Sequence, residues 1–162
     1  MGLGGSIAMV ARRAEAGVSP TSPGGGAVLR PARVLLADDH PPMLDRISAL
    51  LACDFVVVGS VTDGDQLVDA VVALRPDVLV VDISMPGVSG LEAAARVRRA
   101  GWTLPIVCLT AHEELDYLQA AQAAGALGYV TKSSMAIELV SAVRAALDGR
   151  GYVSASMQRA TA

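Results

Sequence analysis

Five short apolar runs rich in β-branched residues, each followed by a helix-like stretch, constrain this chain more than any other feature. From Arg33 onward they read RVLLAD, DFVVVGSV, DVLVVD, PIVCLT and ALGYVT. Runs of this length without polar alternation are buried on both faces, which is the pattern of strands inside a parallel sheet. The intervening stretches are PMLDRISALLA, GDQLVDAVVALR, GLEAAARVRRA, EELDYLQAAQAAG and SMAIELVSAVRAALDG. In the last of these, Ile137, Val140, Val143 and Leu147 recur at steps of three and four and are expected to form its buried stripe. Arg75-Pro76, Gly101 and Gly149 supply the expected helix stops. Strands alternating with helices require crossovers, and right-handed crossovers carry helices onto both faces. The expected fold is therefore α/β, a doubly wound five-stranded parallel sheet with helices on both faces.

A chain of 162 residues is long enough for one domain with a sizeable core. No uninterrupted apolar segment approaches the roughly 20 residues of a membrane span, so no membrane association is expected. Residues 1–33 carry a net charge of +3 and the remainder −6; a body that acidic is not expected to bind nucleic acid directly. Cys53 and Cys108 stand in apolar company without metal-ligand spacing and read as reduced, buried residues of a cytoplasmic protein. The first 32 residues show no ordered signal-peptide regions, and their Gly, Pro and Ser content predicts a disordered arm. The expected organisation is an arm over 1–32, a domain over 33–149 and a tail or truncated linker over 150–162.

In a doubly wound sheet, ligands bind beyond the carboxyl ends of the strands. There the first strand ends in Asp38-Asp39, the third in Asp82 and the fourth in Thr110, while the fifth runs through Tyr129 to Lys132. Taken singly, each aspartate reads as a cap or turn former. Converging carboxylates repel one another, however, and need a counter-charge. Lys132, the single lysine beside twelve arginines, and a hard divalent cation such as magnesium would supply it.

The segments LLADDHP, VLVVDISMPGVSG, IVCLTAH and GALGYVTK, in this order at strand ends, resemble the CheY-like receiver domain of two-component response regulators over residues 33–149. The similarity is greatest to receivers of the LuxR/NarL/FixJ-type DNA-binding subfamily. That resemblance implies a phosphoprotein of phosphorelay signal transduction, with Asp82 as the phosphoacceptor that becomes an aspartyl phosphate. It implies Mg2+ held by Asp39, by Asp38 chiefly through water, by Asp82 and by the carbonyl of Ser84. It further implies that Thr110 and Lys132 bind phosphoryl oxygens, and that Thr110 and Tyr129 act as the switch. A histidine kinase or phosphotransfer protein would be the partner, and a phosphorylation-dependent homodimer is compatible with the resemblance. Such a protein modifies only itself, so it is not expected to be an enzyme in the usual sense.

Taken alone, Tyr129 reads as a half-buried aromatic with its hydroxyl in water, and His40 and His112 as solvated histidines. Ser133 follows the lysine where many receivers have proline, so a trans peptide is expected there, and Ser134 is the expected helix cap. GRGYVSASMQRATA resembles the start of the linker that leads to a helix-turn-helix. Three functional readings follow: a stand-alone receiver acting through protein contacts, a fragment of a DNA-binding transcriptional regulator, and a phosphate-independent interaction module.

Overall fold

A computed structural model describes residues 30–160. The expected arm, apart from its last three residues, lies outside them, as do residues 161 and 162. In chain order the elements are β1 (Arg33–Ala37), α1 (Pro41–Leu51), β2 (Val56–Val61), a 3₁₀ turn (Gly64–Gln66), α2 (Leu67–Leu74), β3 (Val78–Asp82), α3 (Gly90–Arg99), β4 (Ile106–Thr110), α4 (Leu115–Ala123), β5 (Gly128–Thr131), α5 (Met135–Leu147), β6 (Tyr152–Val153) and α6 (Ala155–Ala160). All neighbouring strands are parallel, in the order β2-β1-β3-β4-β5-β6. The sheet therefore has six strands where five were expected. The sixth contributes two residues, Tyr152 and Val153, opposite Gly128 and Tyr129.

Strict alternation along each strand sorts the core into two layers. Val34, Leu36, Val78, Val80, Val107, Leu109 and Val130 face α1 and α5. Leu35, Leu79, Val81, Ile106, Cys108 and Tyr129 face α2, α3 and α4. Both faces are dry, and this explains why the strands read as continuous apolar runs. Among the described residues, no helix is long and apolar enough to cross a membrane.

Glycine at position 90 seats α3 against the strand that carries the site. A Cβ there would lie 2.0 Å from the carbonyl oxygen of Asp82 and 2.8 Å from a methyl of Val81. Only a residue without one lets the Gly90 N–H reach the Ile83 carbonyl at 3.0 Å. The helix then starts on a side-chain cap, with Ser89 Oγ accepting from the N–H of Glu92.

Three local expectations are corrected. Ile137 is 87% exposed, whereas Val143 is buried and Val140 and Leu147 pack partly buried beside it; Met135, Glu138, Leu139, Ala142 and Ala146 extend that buried face of α5. Cys53 is exposed, and only Cys108 is buried. Ser134 occupies the cap position of α5, but its side chain makes no capping bond. The Lys132–Ser133 peptide is trans, as expected, with no cis bond among the described residues.

Candidate phosphoryl site at the sheet edge

Three strand ends are finished by the same local device. Asp38 Oδ1 accepts from His40 N–H at 2.9 Å, Asp82 Oδ1 from Ser84 N–H at 3.1 Å, and Thr110 Oγ1 from His112 N–H at 2.9 Å. In each case a short polar side chain captures the backbone two residues on. The turn that releases the chain from the sheet thus also fixes the side chain's direction. His40 serves as the extended cap residue of α1, followed by Pro41 and Pro42 in its first turn. Beyond Asp82 the chain is pinned by Met85, which is buried, while Ser84 is exposed.

Lys132 closes the constellation from the neighbouring strand. Its own N–H donates to the Thr110 carbonyl at 2.7 Å. Its Nζ donates to Asp38 Oδ2 at 3.1 Å and to Asp82 Oδ2 at 3.0 Å. Those two carboxylates are almost fully buried, whereas Asp39 is exposed and makes no hydrogen bond among the described residues. One carboxylate oxygen from each of Asp38, Asp39 and Asp82 lies within 4.8 Å of the others. Three hard oxygen donors around one point, open to solvent through Asp39, fit a small divalent cation that retains waters.

Electrostatics favour the same completion. Burial raises the pKa of Asp82, against the lowering influence of the Lys132 hydrogen bond and charge, and the Asp38 carboxylate adds to the rise. Burial works against the charge on Lys132, but its bonds to Asp82 and Asp38 prevail and its pKa is raised too. Both groups hold on to their protons, Asp82 chiefly through burial and Lys132 through its two carboxylate partners. Three carboxylates against the one ammonium leave negative charge that a divalent cation would balance.

Thr110 and Tyr129 are brought together through His112. The Tyr129 hydroxyl donates to the His112 carbonyl at 3.1 Å while the His112 N–H donates to Thr110. Tyr129 is buried, with its hydroxyl on a backbone acceptor rather than in water. Burial raises its pKa. The His112 ring leaves the site and stacks on Tyr117 of α4, centroids 4.3 Å apart and planes 9° from parallel. It also faces Glu114 at 3.5 Å. The expectation of a solvated His112 carried no signal for this stack, because loop length alone does not fix how a ring turns. The Thr110 hydroxyl makes no hydrogen bond to the side chain of Lys132 or to any of the three aspartates among the described residues.

Comparison with known proteins places this geometry. Residues 34–144 match the response regulator receiver domain. The response regulator GacA of Pseudomonas viridiflava is 36% identical over 124 residues, covering 75% of this chain and 58% of its own length. The transcriptional regulatory protein DesR of Bacillus subtilis is 38% identical over 119 residues, covering 72% of this chain and 59% of its own. The chain thus spans less than two thirds of the length of these curated relatives. Among solved structures, a LuxR-family two-component response regulator from Aurantimonas sp. SI85-9A1 superposes with a TM-score of 0.77 at 33% identity, over 80% of this chain and 94% of that one. The isolated receiver domain of RcsB from Salmonella enterica serovar Typhimurium, with the phosphomimetic BeF3-, gives 0.73 at 29% identity, over 80% and 98%. With the motif order, the strand-end carboxylates and these likenesses in agreement, the chain belongs to the response regulator receiver domain family of two-component systems.

Proposed function

We propose that this receiver takes a phosphoryl group onto Asp82 from a phosphohistidine of a histidine kinase or phosphotransfer protein in the cytoplasm. The observation that carries this reading is the Lys132 ammonium bridging Asp82 and Asp38 within a three-carboxylate cluster. A carboxylate oxygen of Asp82 forms the O–P bond as the N–P bond of the donor breaks, and the leaving imidazole keeps the electron pair and takes a proton. Phosphoryl transfer asks a protein for positioning and charge neutralisation more than for covalent help.

Lys132 would exchange a carboxylate oxygen for a phosphoryl oxygen, a small movement for a compact charge on a flexible stem. Thr110 accepts from His112 N–H and hydrogen-bonds the Tyr129 side chain, a bond that its hydroxyl would exchange for one to the phosphoryl group. Asp39, Asp82 and the Ser84 carbonyl would hold Mg2+. Both Asp38 oxygens are already engaged by His40 and Lys132, which suits it to an outer role through water. When bound, magnesium supplies positive charge to the phosphoryl oxygens. As Thr110 turns toward the phosphoryl group, the His112 backbone that joins it to Tyr129 shifts, biasing the face formed by α4, β5 and α5 for protein contacts.

A second reading, that this receiver is the input part of a longer transcriptional regulator, is favoured by the 58–59% coverage of GacA and DesR. The test of the site is direct. Incubation with acetyl phosphate and magnesium should add one base-labile phosphoryl mass, and chelation or Asp82→Ala should abolish it. Undiminished labelling of Asp82→Ala would refute the assignment.

A further inference from the structure

Beyond α5 the chain turns back onto the sheet and is held there by one serine. Ser154 is wholly buried. Its N–H donates to the Tyr129 carbonyl at 2.9 Å, and its Oγ accepts from the Thr131 N–H at 2.9 Å. The same hydroxyl donates to one carboxylate oxygen of Glu138, while the other Glu138 oxygen accepts from the Ala155 N–H at 2.9 Å. Glu138 is only 8% exposed, and no lysine or arginine pairs with it among the described residues. A buried carboxylate in that position is tolerable because these two donors satisfy it. Met157, on α6, is wholly buried in the same apolar cluster as Tyr129, Leu118 and Ala121.

The place where this clasp grips is the informative part. Thr131 immediately precedes Lys132. On one side, the Lys132 N–H is tied to the Thr110 carbonyl; on the other, the Thr131 N–H is tied to Ser154. The backbone that carries the site's only ammonium is therefore clamped between β4 and the residue that starts α6. We propose that Ser154 is a positioning residue for the phosphoryl site, and that through Ser154 and Glu138 the state of Asp82 is transmitted to α6.

The inference rests on the phosphoacceptor reading of Asp82. When Lys132 exchanges a carboxylate for a phosphoryl oxygen, an adjustment of its main chain bears on the bonds at Thr110 and at Ser154, and on the local turn closed by the Ser134 N–H. A close-packed interior passes such an adjustment on rather than absorbing it. The route differs from that of Tyr129, which reaches α4 through His112 and Tyr117. Coupling of this kind is reciprocal: what phosphorylation does to α6, a change at Ser154 does to phosphorylation.

Two measurements on the full chain test it. Hydrogen exchange at the amides of Ala155–Ala160 is followed with and without beryllium fluoride and magnesium, and should change by about fivefold, the lower end of typical site coupling. Acetyl phosphate labelling is then compared among the unaltered chain, Ser154→Ala and Ser154→Thr. The alanine variant should label about fivefold more slowly, and threonine, which keeps the hydroxyl, should restore the rate. Unchanged exchange over Ala155–Ala160, or a folded Ser154→Ala that labels at the normal rate, overturns the inference. Should Ser154→Ala fail to fold, the exchange measurement on the unaltered chain decides by itself. An unaltered chain that neither labels nor responds to beryllium fluoride overturns the phosphoacceptor reading and this inference together.

Discussion

Replacing Gly90 by alanine should weaken this protein, although alanine is ordinarily the better helix residue. At a helix position free of contacts the exchange gains up to about 1 kcal/mol. Here the added Cβ would stand 2.0 Å from the Asp82 carbonyl oxygen and 2.8 Å from its carbonyl carbon. Since real Cβ contacts do not fall below 3.0 Å, the separation must open by about 1 Å. The obstructing atoms are backbone, so no rotamer change relieves them. Overpacking costs about 1–3 kcal/mol, and a rigid obstacle belongs in the upper half of that range. A net loss of about 2 kcal/mol corresponds to a melting point lower by roughly 5–10 °C for a domain of this size. Because the strand end that must yield carries Asp82, acetyl phosphate labelling should also slow by about tenfold or more, as a misplacement near 1 Å implies. Gly151→Ala is the control: its Cβ would meet only the Leu127 carbonyl, at 3.6 Å, and stability should stay within about 0.5 kcal/mol. Urea denaturation of both variants provides the assay. A Gly90→Ala protein with the unaltered midpoint would refute the claim that α3 is seated by contact with the site strand.

Lys132→Arg keeps the charge but cannot place a planar fork between Asp38 and Asp82 as a point charge sits there; labelling by acetyl phosphate should fall by about tenfold, and an unchanged rate would show that compactness is irrelevant. Asp39→Asn removes one of three mutually repelling carboxylates, so thermal scans in metal-free buffer should show a slightly higher melting point, while the stabilisation produced by added magnesium should largely disappear. Cys108 has its thiol pKa pushed up to about 12, first by burial and then by the charge of Asp82, whereas Cys53 is exposed. Iodoacetamide at neutral pH should therefore modify Cys53 alone, and Cys108 only after unfolding, as peptide mass mapping would reveal.

The parts of this fold legible in the sequence are those where burial leaves no choice. Strands covered on both faces must be apolar at every position, so β1 to β5 could be read one after another. The strand-end residues were legible because topology assigns the carboxyl edge and only a few residue types there carry charge. One position of the α5 stripe, Ile137, was misread for a definite reason, while Val140, Val143 and Leu147 do pack in the core layer. Ile137 looked like the apolar residue to bury and Glu138 the polar one to expose, yet Glu138 turns inward because Ser154 and Ala155 satisfy its carboxylate. Its partners lie sixteen and seventeen residues away, in a stretch read as tail, so no local periodicity could announce them. The two residues of β6 are likewise too few to show a period, and their pairing depends on where α5 delivers the chain.

The strand-end turns also explain why the site can hold its shape against its own repulsion. Attraction to Lys132 alone would leave the geometry dependent on one flexible side chain. Instead Asp38, Asp82 and Thr110 are each oriented by a backbone N–H two residues on, and those amides belong to turns fixed by Pro41, by buried Met85 and by the His112–Tyr117 stack. The carboxylates are therefore aimed in the absence of any ligand, and little reorganisation would remain for the phosphoryl transfer proposed above. Lys132 is then free to act as the one movable charge in a fixed frame. A device reading the site as proposed would follow that lysine's main chain or Thr110, and these are the two places where Ser154 and His112 take hold.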